Sequence, residues 1–254
     1  MSNNEDLNLK PLSMFKITAK LMNHISDSIK ASFDNKGMDL IYKGIKSFND
    51  EQEDLIKKAT ATFEVSEKAL YSYEDLLEAE TVHETYKYFA YAQDEANVRQ
   101  PVSIYAVMAK VFGHVTKAVV DEFGKEGEEA IKEGVWNFGE ERGKNIAKRA
   151  ASAGQPNTKD NYLPYYDMGR SDLFEIETVN HPDKIEQTFT ACAFGDQWQE
   201  DGMGKYGILY CQMIDPALAR GYHPNFDVVH DEYILQEGQC HFLFQMNEDK
   251  ENHK

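Results

Sequence analysis

The side chains best suited to chemistry lie in the last quarter of the chain. All three cysteines are there, at Cys192, Cys211 and Cys240. Asp215 follows Cys211 by four residues in a segment that predicts a helix, so the two side chains are expected on one helix face. A thiol beside a carboxylate can act as a nucleophile or proton donor with a base, or supply two metal ligands. Cys211 and Asp215 are therefore the first candidate catalytic residues, although a cysteine alone is more often buried packing material.

Two further residues extend this candidate site. Cys240 follows a predicted glycine turn and opens the last predicted strand, so it can face the same site or pack inward as a small apolar residue. His223 lies in a predicted loop and is the best-placed imidazole for acid–base work. We therefore include Cys240 and His223 among the catalytic candidates.

We predict other roles for four further residues of this part of the chain. Tyr222 and Trp198 are candidate substrate-binding residues. Cys192 ends a predicted strand and is expected to be packing. His230 is followed by Asp231 and Glu232, and we expect it to be no more than an ion-paired residue at a strand edge.

The cysteine spacing argues against a structural zinc site. No two cysteines have the C-x-x-C spacing of such sites, and we predict neither a tightly bound structural zinc nor a cofactor. A catalytic metal held by Cys211, Asp215, His223 and Cys240 is an alternative that the sequence leaves open.

Composition limits the class of protein. The 254 residues are 41% hydrophobic, which is enough for a folded core. The formal net charge of −17 argues against a nucleic-acid or anionic-membrane surface, and its plain interpretation is solubility in a cytosol. The partner we expect is a small-molecule substrate. No run is apolar enough to span a membrane and no leader pattern begins the chain, so we expect a cytoplasmic protein. A homo-oligomer is left open.

The first part of the chain has the periodicity of helices. Met14, Ile17, Leu21, Ile25 and Ile29 recur every three to four residues and predict one buried stripe. Asn49, with acidic residues after it, predicts the start of a second helix. Further helices are predicted over 81–96, over 102–123, and after Gly124 through the sequence positions Val135, Phe138, Arg142 and Ile146.

After a predicted loop at 153–169 the period changes to two. The alternation predicts strands over 173–179 and 185–192, joined by a turn at Pro182-Asp183. Two short helices are predicted near 196–201 and 206–219, followed by a hairpin of 228–235 with 240–246. The fold class is therefore α+β, with a helical N-terminal half packed on a small antiparallel sheet with short helices. The predicted organisation is a helical region 1–100, a hydrolase-like domain 101–246 and a polar tail 247–254.

Five segments of the sequence resemble the L-2-amino-thiazoline-4-carboxylate hydrolase family. They are Phe123-Gly-Lys-Glu-Gly-Glu-Glu-Ala-Ile131, Ala191-Cys-Ala193, Tyr210-Cys-Gln-Met-Ile-Asp215, Gly221-Tyr-His-Pro224 and Gly238-Gln-Cys-His-Phe242. The resemblance implies a hydrolase for a cyclic amidine, in which water adds to the ring carbon between nitrogen and sulfur and the thiazoline opens to a carbamoyl-cysteine. In that chemistry Asp215 would activate the water, and Cys211 with Cys240 would donate a proton or form a covalent intermediate.

A second resemblance gives the alternative function. The final Gly-x-Cys-x-Phe, at 238–242, is similar to the end of vinyl-reductase-type sensor domains, which bind small molecules. Those domains usually carry a second cysteine eight residues before the last, where this chain has Glu232. The alternative is therefore a non-enzymatic binding module whose cysteines are structural.

Overall fold

The computed structural model describes residues 11–59, 73–95, 102–169 and 172–247. The predicted tail beyond residue 247 and the first ten residues lie outside this part. The described elements are helices α1 (Met14–Ala59), α2 (Ala79–Glu95), α3 (Ile104–Phe123), α4 (Lys125–Ser152), α5 (Lys159–Tyr162), α6 (Ala193–Glu200), α7 (Gly204–Tyr222) and α8 (Ile234–Glu237), and strands β1 (Phe174–Asn180), β2 (Lys184–Cys192), β3 (Phe226–Glu232) and β4 (Cys240–Met246).

The predicted fold class is confirmed. The chain combines a mostly helical composition with one four-stranded antiparallel sheet, which is an α+β protein. None of the described helices is long and apolar enough to cross a membrane.

The chain divides into two compact units. Of the described residues, the helical unit takes those between 13 and 134 and those from 193 to 209. The sheet unit takes those from 135 to 192, those from 210 to 247, and residues 11 and 12. The domain limits predicted from the sequence stay a prediction.

In the helical unit, α1 reverses direction at Asp34. Asp34 has a non-helical backbone with φ 49° and ψ −135°. A Cβ placed on Gly37 would lie 2.8 Å from the Ile29 side chain, whereas eight residues along a straight helix span about 12 Å. The two halves of α1 are therefore packed side by side, and only glycine fits at this contact.

The predicted buried stripe of α1 is confirmed, but the predicted second helix start is wrong. Ile17, Leu21, Ile25 and Ile29 are almost fully buried, at 0–1% exposure. Asn49 lies inside α1 and is itself buried, so it does not cap a helix. The start of α3 is instead capped by Ser103, whose Oγ accepts a hydrogen bond from the Ala106 amide at 3.1 Å.

In the sheet unit, the strand order is β1-β2-β4-β3. The first predicted hairpin is confirmed, with Asn180 opposite Ile185 across the turn. Strands β3 and β4 also pair antiparallel, and the segment between them contains the short helix α8. The buried face of the sheet carries side chains in alternation, which are Ile185, Phe226, Val228, Cys240, Phe242 and Phe244.

Two predicted segments differ from the structure. The predicted loop at 153–169 contains α5 and the buried residues Tyr162 and Asp167, which are 1% and 0% exposed. Helix α7 continues to Tyr222, past the predicted end, with Pro216 in its interior. Proline has no amide hydrogen, so the carbonyl of Gln212 has no helical partner four residues on.

Candidate functional site

Helix α7 is positioned against α4 by glycines within the sheet unit. A Cβ on Gly139 would lie 2.7 Å from the Ala217 Cβ and 3.0 Å from the Ile214 carbonyl oxygen, and one on Gly143 would collide with the Leu218 carbonyl oxygen. These two glycines, one turn apart on α4, let the backbones approach closely. Their spacing therefore serves helix packing, and it brings the Cys211–Asp215 turn of α7 into electrostatic range of Arg142.

Arg142 is held by a buried ion pair. Its Nε lies 2.9 Å from Asp167 Oδ2 and its Nη2 lies 2.5 Å from Asp167 Oδ1. The two side chains are 2% and 0% exposed. Burial would lower the pKa of Arg142, but electrostatic interactions with Tyr166 and with the Asp167 carboxylate, together with the hydrogen bonds to Asp167, raise it well above its ordinary value. The guanidinium is therefore a fixed positive charge in the interior.

Asp215 is the most perturbed carboxyl group of this unit. Burial raises its pKa to about 7, and the charge of Arg142 opposes this rise. Its side chain nevertheless keeps 21% of its surface accessible. A carboxyl group that is strongly desolvated yet partly accessible is a candidate acid–base group, because perturbed pKa values are common at active sites.

His230 lies beside this carboxyl group. Its Nδ1 is 3.6 Å from Asp215 Oδ2, and only 2% of its side chain is accessible. Its ring centroid lies 4.0 Å from those of both Tyr233 and Phe242. Burial lowers the pKa of His230 to about 4, so the imidazole is neutral at physiological pH. His230 therefore lies on the edge strand β3, as expected, but its imidazole is buried and neutral, which corrects the expectation of an ion pair.

Cys211 and Cys240 lie in the same electrostatic environment as Asp215. Burial, followed by the charges of Cys192, Cys240 and Asp215, raises the pKa of Cys211 well above its ordinary value. Burial also raises the pKa of Cys240 to about 12, and its Sγ accepts a hydrogen bond from the Ile234 amide at 3.2 Å. Both groups are therefore thiols at neutral pH. This is opposite to the lowered pKa that a cysteine nucleophile needs.

Tyrosines surround the group of ionisable side chains. Burial raises the pKa of Tyr166 to about 12 and those of Tyr162 and Tyr210 well above their ordinary value, and the charge of Asp215 adds to each rise. Burial, followed by the charges of Cys211 and Asp215, also raises the pKa of Tyr233. These hydroxyls stay neutral, so they can take part in hydrogen bonds but cannot act as bases near pH 7.

The structure gives His223 a local contact. It follows the end of α7, and its Nδ1 accepts a hydrogen bond from the Asn225 amide at 3.1 Å. Among the described residues, no hydrogen bond, ion pair or ring contact joins it to Cys211, Asp215 or Cys240. Its proposed catalytic role stays a prediction.

The two candidate substrate-binding residues are both core residues. Tyr222 is 2% exposed, and its hydroxyl donates to the Thr158 carbonyl oxygen at 3.0 Å. Trp198 belongs to the helical unit, is 1% exposed, and donates from its indole nitrogen to the Ala109 carbonyl oxygen at 2.7 Å. Packing accounts for both positions, and a contact with substrate stays a prediction.

The described residues contain no group of three or more histidine, cysteine or acidic side chains arranged to hold a metal ion. The metal-dependent alternative with Cys211, Asp215, His223 and Cys240 therefore gains no geometric support.

Sequence reasoning missed three participants in this site, namely His230, Arg142 and Asp167. His230 follows Phe226 and Val228 at a spacing of two, and both of those residues are buried. Strand alternation therefore carried the signal for an inward-facing histidine. Arg142 recurs at helical spacing with Val135, Phe138 and Ile146, which are all buried. A charged residue at such a position is expected to be buried with them.

The fold and the site together define an α+β protein with a buried carboxyl, imidazole and thiol site in its sheet unit. Residues 105–244 match the model of the L-2-amino-thiazoline-4-carboxylic acid hydrolase family. The match covers more than half of the chain and contains every residue of the site, so the chain belongs to this family. The resemblance noted from the sequence is thereby confirmed, and the family is named for a hydrolytic activity. No curated protein and no solved structure matches the chain.

Proposed function

We propose that this protein hydrolyses a small cyclic amidine of the thiazoline type, with Asp215 as the acid–base group. The observation that carries the proposal is the Asp215 carboxyl, whose pKa is raised to about 7 by burial while 21% of its side chain stays accessible. Acid–base catalysis is most efficient when the pKa of the catalyst lies near the working pH. The family to which the chain belongs supports the substrate class.

The reaction consumes one water molecule and needs no oxidant. The Asp215 carboxylate accepts a proton from water as the water oxygen bonds to the ring carbon between nitrogen and sulfur. The ring C=N double bond opens as the nitrogen takes a first proton, which leaves a tetrahedral carbon that bears the new hydroxyl. That hydroxyl loses its proton as its C=O bond forms and the ring C–N bond breaks, and the nitrogen takes a second proton and leaves as an amine. The two protons of the water therefore end on the nitrogen, and Asp215 and the thiols return to their starting protonation states. The carbon stays on sulfur as a carbamoyl group, which gives a carbamoyl-cysteine from the amino-thiazoline carboxylate.

Cys211 and Cys240 are proposed as proton donors to the leaving nitrogen. Burial raises both pKa values, that of Cys240 to about 12, so each thiol keeps its proton at neutral pH. This favours proton donation over the covalent intermediate that was the other role considered for these cysteines, because the thiolate is the nucleophilic form.

The direct test is turnover of L-2-amino-thiazoline-4-carboxylate by the purified protein. We expect a new amine and no new thiol, since breaking the ring C–S bond would instead release a thiol. Asp215→Asn is expected to lower kcat by about 10²–10⁴-fold, the usual contribution of an acid–base group. The matched control is Asp160→Asn, because Asp160 is 72% exposed and paired with Lys159, and we expect it to leave kcat unchanged.

Absence of turnover in the wild-type protein, or equal kcat values for Asp215→Asn and wild type, would contradict the proposal. Release of a thiol would contradict only the assignment of the ring C–N bond as the bond that breaks. It would leave the hydrolysis and the role of Asp215 intact.

One observation favours a second candidate, a non-enzymatic binding module for a small molecule. The raised pKa values of Cys211 and Cys240, and the hydrogen bond from Ile234 to Cys240, suit structural thiols as well as proton donors. Under this alternative, the amino-thiazoline carboxylate or a related compound binds without being consumed. Calorimetric titration that detects binding in the absence of any product would favour it.

A further inference from the structure

The imidazole of His230 is buried and neutral, and its ring nitrogens make no hydrogen bond of ordinary geometry. The backbone of Cys211 and of Glu232 lies near enough to favour the protonated ring, but within the described part of the chain neither ring nitrogen has a partner at hydrogen-bond distance and angle. Buried polar groups are rarely left unpaired because the loss of hydration costs about 1–3 kcal/mol. An unpaired imidazole at 2% side-chain exposure therefore needs a functional or structural reason.

The strand geometry aims this imidazole at α7. The pairing of β3 with β4 is regular up to His230, which lies opposite Phe242, and the register shifts between His230 and Glu232. Bulges of this kind redirect a side chain and are common beside active sites. The rings of Tyr233 and Phe242, each 4.0 Å from the His230 ring between centroids, then limit its rotation.

The distance to Asp215 is just beyond a hydrogen bond. Nδ1 of His230 and Oδ2 of Asp215 are 3.6 Å apart, whereas a hydrogen bond between such atoms is about 2.7–3.2 Å. A side-chain shift of less than about 1 Å closes this gap.

We propose that His230 is a positioning residue that pairs with Asp215 through Nδ1 in both protonation states of the carboxyl group. When Asp215 is a carboxylate, the neutral imidazole donates from Nδ1–H to Oδ2 and holds the carboxylate toward the attacking water. When Asp215 has taken the proton, its O–H donates to Nδ1, and the ring proton resides on Nε2. The proposal rests on the proposed function for its catalytic meaning, but the pairing itself does not require turnover.

The charges around His230 are compatible with a neutral ring. Burial disfavours the protonated form most strongly. The nearby backbone of Cys211 on α7 and of Glu232 on β3 favours that form, Asp231 on β3 favours it less, and His241 on β4 opposes it. The pKa of His230 falls to about 4, below that of Asp215 at about 7. The carboxyl group therefore titrates while the imidazole only changes tautomer.

The first experiment is ¹⁵N NMR of histidine side chains in the wild-type protein from pH 5.5 to 8.5. We expect His230 to be neutral throughout and to change from the Nε2–H to the Nδ1–H tautomer, with a midpoint equal to that of the ¹³C-detected Asp215 carboxyl. An Nε2–H tautomer that persists at pH 8.5, or an imidazolium at pH 6, would overturn the proposal.

The second experiment compares two substitutions at the same position. His230→Asn keeps a donor near the place of Nδ1, whereas His230→Leu removes it. We expect His230→Leu to raise the pKa of the Asp215 carboxyl by about one unit, because the hydrogen bond to the charged carboxylate is stronger than the one to the protonated carboxyl group and the variant loses both. His230→Asn is expected to restore most of the difference. His181→Asn, at a partly exposed histidine near Glu186, is the control and should leave the Asp215 pKa unchanged.

An unchanged Asp215 pKa in folded His230→Leu protein would overturn the proposal. If that variant does not fold, the tautomer measurement on the wild-type protein decides alone. A protein that shows the tautomer change but no turnover would contradict the proposed function and leave the pairing intact.

Discussion

Nδ1 of His230 lies 3.6 Å from Oδ2 of Asp215, and the two groups have pKa values shifted in opposite directions. Burial raises that of Asp215 to about 7 and lowers that of His230 to about 4. Both shifts have the same physical cause, because desolvation disfavours the charged form of either group. At neutral pH the pair therefore consists of a carboxyl group near its midpoint and an uncharged imidazole.

The three cysteines should differ in their response to substitution. Cys211→Ser is expected to lower kcat by orders of magnitude with little change in melting temperature, because a serine hydroxyl is a much weaker acid. Cys192→Ser is expected to lower the melting temperature and leave kcat nearly unchanged, since we assign that thiol to packing. Parallel measurements of kcat and thermal unfolding on both variants test this contrast.

Equal kcat values for Cys211→Ser and wild type would remove Cys211 from the reaction and leave Asp215 as the catalytic group. A loss of kcat in Cys192→Ser without loss of stability would show instead that the packing assignment is wrong.

Asp215 and His230 should make opposite contributions to the pH dependence of stability. The pKa of Asp215 is raised from 3.8, so its stabilising contribution is complete below pH 3.8 and is lost as pH rises to about 7. The pKa of His230 is lowered from 6.5, so its contribution is complete above pH 6.5 and is lost as pH falls to about 4. From roughly 1.4 kcal/mol per pKa unit, the effect is at most about 4.5 kcal/mol for Asp215 and about 3.5 kcal/mol for His230.

Urea unfolding of Asp215→Asn and His230→Asn at pH 4.5, 6 and 8 tests these signs. Relative to wild type, Asp215→Asn should gain free energy of unfolding as pH rises, and His230→Asn should gain it as pH falls. Parallel curves for wild type and both variants would mean that neither group has a shifted pKa in the folded protein.

The sequence predicts those residues of the site that follow the periodicity of the helix or strand in which they lie. The spacing of Cys211 and Asp215 was sufficient to identify them as candidate catalytic residues on one helix, and both lie on α7. His230 was expected to be ion-paired because of its charged neighbours, Asp231 and Glu232. It does lie on the edge strand β3, but its imidazole is buried and neutral. The buried alternation from Phe226 would have predicted an inward histidine. The sequence pattern does not reveal the register shift between His230 and Glu232, or the position of the imidazole 3.6 Å from Asp215.

In the fold, too, local sequence patterns could be predicted and the results of tertiary packing could not. The stripe from Ile17 to Ile29 and the alternating strand from Ile185 are local patterns, and they predicted the helix and the hairpin. The reversal of α1 at Asp34 depends on tertiary packing against Gly37, and Asn49 met the local criteria for a cap without being at a helix end. Asp167 lies in a segment rich in glycine and polar residues, where only its partner Arg142 explains its burial.

The buried pair of Arg142 and Asp167 should be essential for stability. Arg142→Met leaves the Asp167 carboxylate buried and unpaired, which is expected to cost about 3–5 kcal/mol. It also removes the positive charge that lowers the pKa of Asp215, so that pKa should rise further. Denaturant unfolding and carboxyl NMR measure the two effects.

The double variant Arg142→Met with Asp167→Leu is the matched control, since it removes both charges. It should recover much of the lost stability, and the pKa of Asp215 should stay above its wild-type value, since the charge of Arg142 is still missing. A double variant as unstable as Arg142→Met alone would show that packing, and not the unpaired charge, causes the loss.

The helical unit contains a second buried cation whose role we expect to be structural. Lys110 Nζ lies 2.7 Å from both Glu51 Oε1 and Asp201 Oδ1, with 7% of its side chain exposed. Burial would raise the pKa of Glu51, but hydrogen bonds from His114 and Lys110 lower it to about 2. Its stabilising contribution is therefore present above pH 4.5 and is lost as pH falls toward 2.

Lys110→Met is expected to lower the free energy of unfolding by about 3–5 kcal/mol at pH 7, because two carboxylates lose their buried partner. Urea unfolding at pH 7 and pH 3 measures this, and the loss should be smaller at pH 3, because without Lys110 the pKa of Glu51 is no longer held as low and its carboxylate can take up a proton. Lys46→Met is the control, since its pair with Asp50 is 74% and 54% exposed and should contribute little. A change below 1 kcal/mol in Lys110→Met would contradict the expectation.

The pH dependence of kcat/KM for L-2-amino-thiazoline-4-carboxylate tests the central claim most directly. If Asp215 is the base, kcat/KM should rise with pH through an apparent pKa of about 7, since the carboxylate is the active form and burial sets that value. In Asp215→Asn this limb should disappear, and the remaining rate should be nearly independent of pH between 5.5 and 8.5. A limb near pH 7 that persists in Asp215→Asn would contradict the assignment of Asp215 as the acid–base group.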